Sequence, residues 1–85
     1  MVNMYKQEQG RKNEKKVERE YRENGYQVLN VNDKGFPDLI ILKDGKIECF
    51  VEVKAPKHKV HGFQKEFHKQ LEAMGFQVEI RIVEE

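Results

Sequence analysis

The chain has one cysteine, two prolines and no apolar run long enough to cross a membrane, and each shortage excludes something. A lone thiol cannot close an intrachain disulfide, so Cys49, set inside an apolar run, fits an intracellular, reducing setting. The polar stretch from Met1 to Lys12 lacks the apolar segment of a secretory signal, which makes the cytoplasm the expected location. Charged residues are 36% of the chain but nearly cancel to a net charge of +1, so there is no bulk basic signature of a nucleic-acid binder. We find no internal repeat, low-complexity tract or linker, no His/Cys zinc spacing, no phosphate-cradling glycine loop and no Ser/His nucleophile arrangement. Eighty-five residues make one small domain, whose thin core would gain from a partner subunit.

The distribution of charge is more telling than its sum. One basic segment holds Lys54, Lys57, His58, Lys59, His61, Lys65, His68 and Lys69; another holds Arg11, Lys12, Lys15 and Lys16. The second reads equally well as a solvated helix face. Asn13 can cap a helix that starts at Glu14, with Glu14, Val17 and Tyr21 on one stripe and Gly25 just past its end. This divides the chain into a polar segment over 1–12 and a single domain over 13–85. Tyr26 to Val31 reads as a strand and 32–35 as a loop, with Gly35 shaping a turn rather than binding phosphate. His61 to Met74 reads as a helix with Phe63, Phe67, Leu71 and Met74 on its apolar stripe, ended by Gly75. Phe76, Val78, Ile80 and Ile82 then alternate with polar residues as a half-buried strand. The order is helix, three strands, helix, strand. A helix between strands implies a parallel return, hence a mixed sheet in an α/β fold.

The centre of interest is the hairpin formed by Asp38 to Lys43 and Ile47 to Lys54, flanked by both prolines. It brings Pro37-Asp38 and Glu52-Val53-Lys54 to one mouth. A carboxylate on each of two neighbouring apolar strands is costly unless an ion or hydrogen bonds compensate. Such carboxylates are the hard oxygen ligands that Mg²⁺ or Mn²⁺ prefers, and a neighbouring ammonium can hold a phosphate or a water. Two registers are open. A two-residue Asp44-Gly45 turn sets Asp38 opposite Val51, on the other side of the sheet from Glu52. A three-residue turn with Gly45 left-handed, or a bend just after Asp38, puts the two acids on one face. The opposite face, Leu39, Ile41, Ile47, Cys49, Val51 and Val53, must be covered, and the helix after His61 is the candidate.

Pro37-Asp38 followed by Glu52-Val53-Lys54 resembles the PD-(D/E)xK nuclease superfamily. The longer string Gly35-Phe36-Pro37-Asp38-Leu39, then Val51-Glu52-Val53-Lys54-Ala55-Pro56, then Gln64 on a helix ending in Gly75, resembles the virus-type replication-repair nuclease (VRR-NUC) domain, over Asn13 to Val83. The resemblance implies a restriction-endonuclease-like core. It makes Asp38 and Glu52 metal ligands together with the Val53 backbone carbonyl. Lys54 becomes the residue that orients the attacking water or steadies charge. Glu14 is the matching helix acid, reaching metal directly or through water, and Gln64 helps hold the site together. His68, one turn on, is a contact for DNA or for the lysine, or else a plain surface histidine. The loop from Ala55 to Gly62 departs most from the family pattern, and substrate shape would be read there.

The function expected is a Mg²⁺- or Mn²⁺-dependent, structure-selective DNA endonuclease resembling Holliday junction resolvases. It would act as a homodimer on four-way junctions in a bacterial or phage-infected cell. Arg11, Lys12, Lys57, His58, Lys59, His61, Lys65 and His68 would face nucleic acid. The rivals are a non-catalytic binding module on the same fold and a flap or RNA nuclease of the same mechanism. A phosphate-binding surface alone gains nothing from two buried carboxylates that repel its ligand.

Overall fold

Alternating apolar residues build the sheet, and two helices close its faces. The computed structural model describes residues 3–31, 36–56 and 62–83, with side chains from Lys12 onward except Phe63. Its elements are helix α1 (Asn3–Glu23), strands β1 (Gln27–Asn30), β2 (Leu39–Lys43) and β3 (Lys46–Lys54), helix α2 (Gly62–Ala73) and strand β4 (Val78–Ile82). They form a single sheet in the order β1-β2-β3-β4, with the first three strands antiparallel and β4 parallel to β3. The mixed α/β sheet is thus the one that the element order implies, with α2 as the crossover.

Helix α1 starts at Asn3 rather than at an Asn13 cap. Lys6, Gln7, Glu8, Gln9, Arg11 and Lys12 are good helix formers, so the polar segment continues the helix, and Asn13 is buried within it. The core is one-sided: Val17 of α1 packs with Val28, Leu39, Ile41, Cys49, Val51 and Val83, joined by Tyr21, Tyr26 and Val53. The apolar face of the hairpin is therefore covered by α1, a correction to the assignment of the second helix to that role. A helix carrying Gln64 and His68 on its buried stripe suits a polar face better.

Helix α2 instead closes the other face, around Phe50. Phe36, Phe50, Phe67 and Phe76 meet edge to face at ring separations of 5.3–5.9 Å. The buried stripe of α2 is Gln64, His68 and Leu71, whereas Phe67 is partly open and Met74 is 70% exposed, so the apolar stripe read from spacing is displaced. Ile80 and Ile82 also differ from the half-buried strand expected, at 49% and 58% exposed. Their strand is an edge, and α2 directs Phe67 and His68 toward Phe36 and Glu52 instead.

Gly75 ends α2 at φ 96°, where its N–H reaches the Glu72 carbonyl and the Phe76 N–H reaches that of Leu71. This Schellman closure turns the chain into β4. An added Cβ would meet nothing within 4 Å at Gly75 or at Gly62, so only backbone conformation separates the two positions. Gly75→Ala should cost roughly 1–2 kcal/mol in urea unfolding, while Gly62→Ala, at the start of the helix and without a positive φ, should cost nothing measurable.

Candidate active site

The register of the hairpin decides the site. Lys43 faces Lys46 across a two-residue turn whose central residues both have positive φ, Asp44 at 52° and Gly45 at 76°, as a type I′ turn demands. Carried unbroken along the strands, that pairing would separate the two acids. The pairing shifts between Ile41 and Leu42, since Ile41 faces Cys49 but Leu42 faces Ile47, leaving Glu48 as an extra residue in β3. Beyond this bulge Leu39 faces Val51, and the next step brings Asp38 level with Glu52. The shared face is thus reached by a bulge in mid-strand, not by a three-residue turn or a bend after Asp38. The same bulge moves Ile47 off the α1 face and leaves it 40% exposed, which corrects its placement with Cys49 and Val51.

Asp38 is held by the backbone. Its Oδ2 accepts from the Val53 N–H at 2.8 Å, and its carbonyl accepts from the Val31 N–H at 2.8 Å. Glu52 is buried, with its side chain 1% exposed; Oε2 lies 3.7 Å from Lys54 Nζ and Oε1 lies 3.4 Å from His68 Nε2. Burial pushes the Glu52 carboxyl up to about 8, and the hydrogen bond and negative charge of Asp38 push the same way, while Lys54 opposes them. Burial also lowers His68 below the ordinary imidazole range, helped by Lys54 and opposed by Glu72. These directions favour a protonated Glu52 beside an uncharged His68 imidazole.

Of the other residues singled out in the sequence, Gln64 is buried one turn before His68 on the same helix face. His68 is buried and turned toward Glu52, which sets aside the plain surface histidine among its readings. Glu14 lies on α1, the helix that packs on the other side of the sheet. Its Oε1 accepts from Asn30 Nδ2 at 3.1 Å, and Glu18 Oε2 accepts from the same amide at 3.2 Å. Lys12 and Lys65 are exposed. Lys57, His58, Lys59 and His61, and the side chain of Arg11, lie outside the described residues. Asn30 was not expected as a tether for helix acids. Its only sequence signal was a polar residue on the inward face of a strand.

The family model for the VRR-NUC domain matches residues 2–85, essentially the whole chain. The chain belongs to the VRR-NUC family. No curated protein and no solved structure matches it. Membership implies nuclease-type function and, with it, DNA binding, on a fold consistent with a restriction-endonuclease-like core. No helix among the described residues is long and apolar enough to cross a membrane.

PD-(D/E)xK-type nucleases generally use divalent metals. The VRR-NUC site fits one on its donor chemistry: two adjoining carboxyls, one fully buried, offer hard oxygen donors whose mutual repulsion a cation would relieve. Among the described residues no three His, Cys, Asp or Glu side chains close into a cage.

Without metal, the raised Glu52 carboxyl sets the sign of a pH effect. The folded state keeps a proton that the unfolded chain sheds near 4.5, so this contribution is fully present below 4.5 and is lost as pH rises through about 8. His68 acts oppositely, its cost appearing as pH falls below 6.5, which leaves the interval from 6.5 to 8 to Glu52. In EDTA, the melting temperature should fall between those pH values by an amount worth up to about 2 kcal/mol. Glu52→Gln should flatten that slope; an unchanged slope would remove Glu52 as its source.

Proposed function

We infer that this VRR-NUC domain is a Mg²⁺- or Mn²⁺-dependent, structure-selective DNA endonuclease, with four-way junctions as its leading substrate. The observation that carries the reading is the buried Glu52 set against Asp38, with Lys54 Nζ beside it. Asp38, its Oδ2 fixed by the Val53 N–H, and Glu52 would hold the ion, with the Val53 carbonyl as a third oxygen on the same strand. A bound divalent cation supplies charge stabilisation for the scissile phosphate and lowers the pKa of a bound water. Lys54, 15% exposed and tethered to Glu52, orients that water or balances charge on the phosphate. Gln64, on α2, helps hold the site together. Glu14, tied to Asn30 at the end of β1 that adjoins Asp38, would approach the ion through water from the α1 side.

Arg11, Lys12, Lys57, His58, Lys59, His61 and Lys65 would meet the DNA backbone. Contacts of this kind go to phosphates, so shape rather than base sequence would be read. The edge strand β4, with Ile80 and Ile82 open, supports self-association. A homodimer would set two sites on two strands of a branched substrate, and the setting is phage or mobile-element replication or repair.

The test is cleavage of labelled four-way junction, flap, linear duplex and single-stranded DNA, and of RNA, with Mg²⁺, Mn²⁺ or EDTA. Junction cleavage should require metal. Glu52→Ala should lose more than the roughly 10²-fold that removal of an outer partner costs. Binding without cleavage under every metal condition would overturn the enzyme, and equal rates on linear DNA would remove the junction preference. The mass in solution should be that of a dimer.

A further inference from the structure

Helix α2 buries a histidine where packing alone would favour an aliphatic side chain. His68 is 8% exposed, one turn from Leu71 and four residues after Gln64, on the face that closes over Phe50 and Glu52. A buried imidazole is unfavourable unless its ring nitrogens find partners. Here Nε2 meets Glu52 Oε1 at 3.4 Å, between side chains 10% and 1% exposed. The second oxygen of Glu52, Oε2, faces Lys54 at 3.7 Å.

The two oxygens of one carboxylate are therefore held from different elements. Lys54 sits two residues along the same strand on a long, rotatable stem. His68 comes from the opposing helix and turns about only two side-chain bonds, inside a packed layer. Of the two contacts, the ring is the one able to set the plane of the carboxylate.

We propose that His68 is a positioning residue of this site, whose Nε2 fixes Glu52 Oε1 so that the carboxylate presents its other oxygen, in one orientation, on the side of Lys54. The inference rests on the nuclease reading above and gives His68 a place inside the site rather than on the DNA surface. Its physical content is preorganisation. A carboxylate free to rotate must be ordered when a cation binds, and losing such an outer partner typically weakens metal binding or activity by about 10–100-fold. A packing role alone would be filled equally well by leucine.

The experiment uses the full chain, stripped of metal, as wild type, His68→Leu, His68→Gln and Glu52→Ala. Mn²⁺ is titrated by calorimetry without DNA, and cleavage is followed against Mn²⁺ and against substrate concentration. His68→Leu should remain folded, bind Mn²⁺ about 10–100-fold more weakly, and need correspondingly more Mn²⁺ for half-maximal cleavage, with KM for DNA unchanged. His68→Gln, whose amide nitrogen reaches about as far as Nε2, should recover most of that loss. Should leucine not be accommodated, His68→Met serves as the apolar variant.

Wild-type Mn²⁺ affinity and metal dependence in the apolar variant would overturn the proposal. So would equal weakening by glutamine and leucine. If wild type and Glu52→Ala take up Mn²⁺ alike, it is the nuclease reading that fails, and the comparison of His68 variants is not what reveals it.

Discussion

A buried carboxyl group, Glu52, set against the half-buried Asp38 is the constraint on which the rest of this molecule turns. Asp38 and Glu52 sit at the mouth of an otherwise apolar hairpin, and burial together with the neighbouring Asp38 pushes the Glu52 carboxyl up to about 8. Each neighbour can be understood by what it does to that pair. The Val53 N–H takes one oxygen of Asp38, Lys54 approaches one oxygen of Glu52, and His68 approaches the other. None of the described buried side-chain polar atoms is left without a partner. The strain is electrostatic rather than steric, and a divalent cation is the group that would relieve it.

The fold divides its labour around this pair. One face of the sheet, under α1, is an aliphatic core from Val17 to Val83 that supplies most of the burial. The other face, under α2, trades part of its apolar contact for Gln64, His68 and Glu52, and recovers packing through four phenylalanine rings meeting edge to face. A small domain can carry a polar face only if the opposite one is almost entirely dry. The bulge at Glu48 joins the two requirements, because it keeps Leu39, Ile41, Cys49 and Val51 on the dry face while bringing Asp38 across from Glu52.

Alternation and helix-ending glycines are local signals, and they carried the element order, the parallel return and the hairpin. Phe76 to Ile82 alternates, Gly25 and Gly75 sit just past apolar stripes, and Pro37 and Pro56 bracket the paired strands. The start of α1 was misplaced, because a capping residue is also tolerated inside a helix when its side chain is buried, as that of Asn13 is. Periodicity does not decide which of two helices covers a given face. Both carry apolar stripes, and only packing decides which of them meets Leu39 and Ile41.

The chemistry on offer is legible in the sequence: Asp38 and Glu52 are acids, Lys54 follows Glu52 by two, and one hairpin brings them near. Side-chain identity and short spacing are local properties, and a strand’s period of two is enough to put Glu52 and Lys54 on one face. Tertiary structure decided what those groups meet. Whether Asp38 lies opposite Glu52 depends on one extra residue in the partner strand, and whether His68 is a surface group or a contact of Glu52 depends on how α2 is laid across the sheet. Those outcomes depend on contacts between residues far apart in the chain, which no spacing encodes.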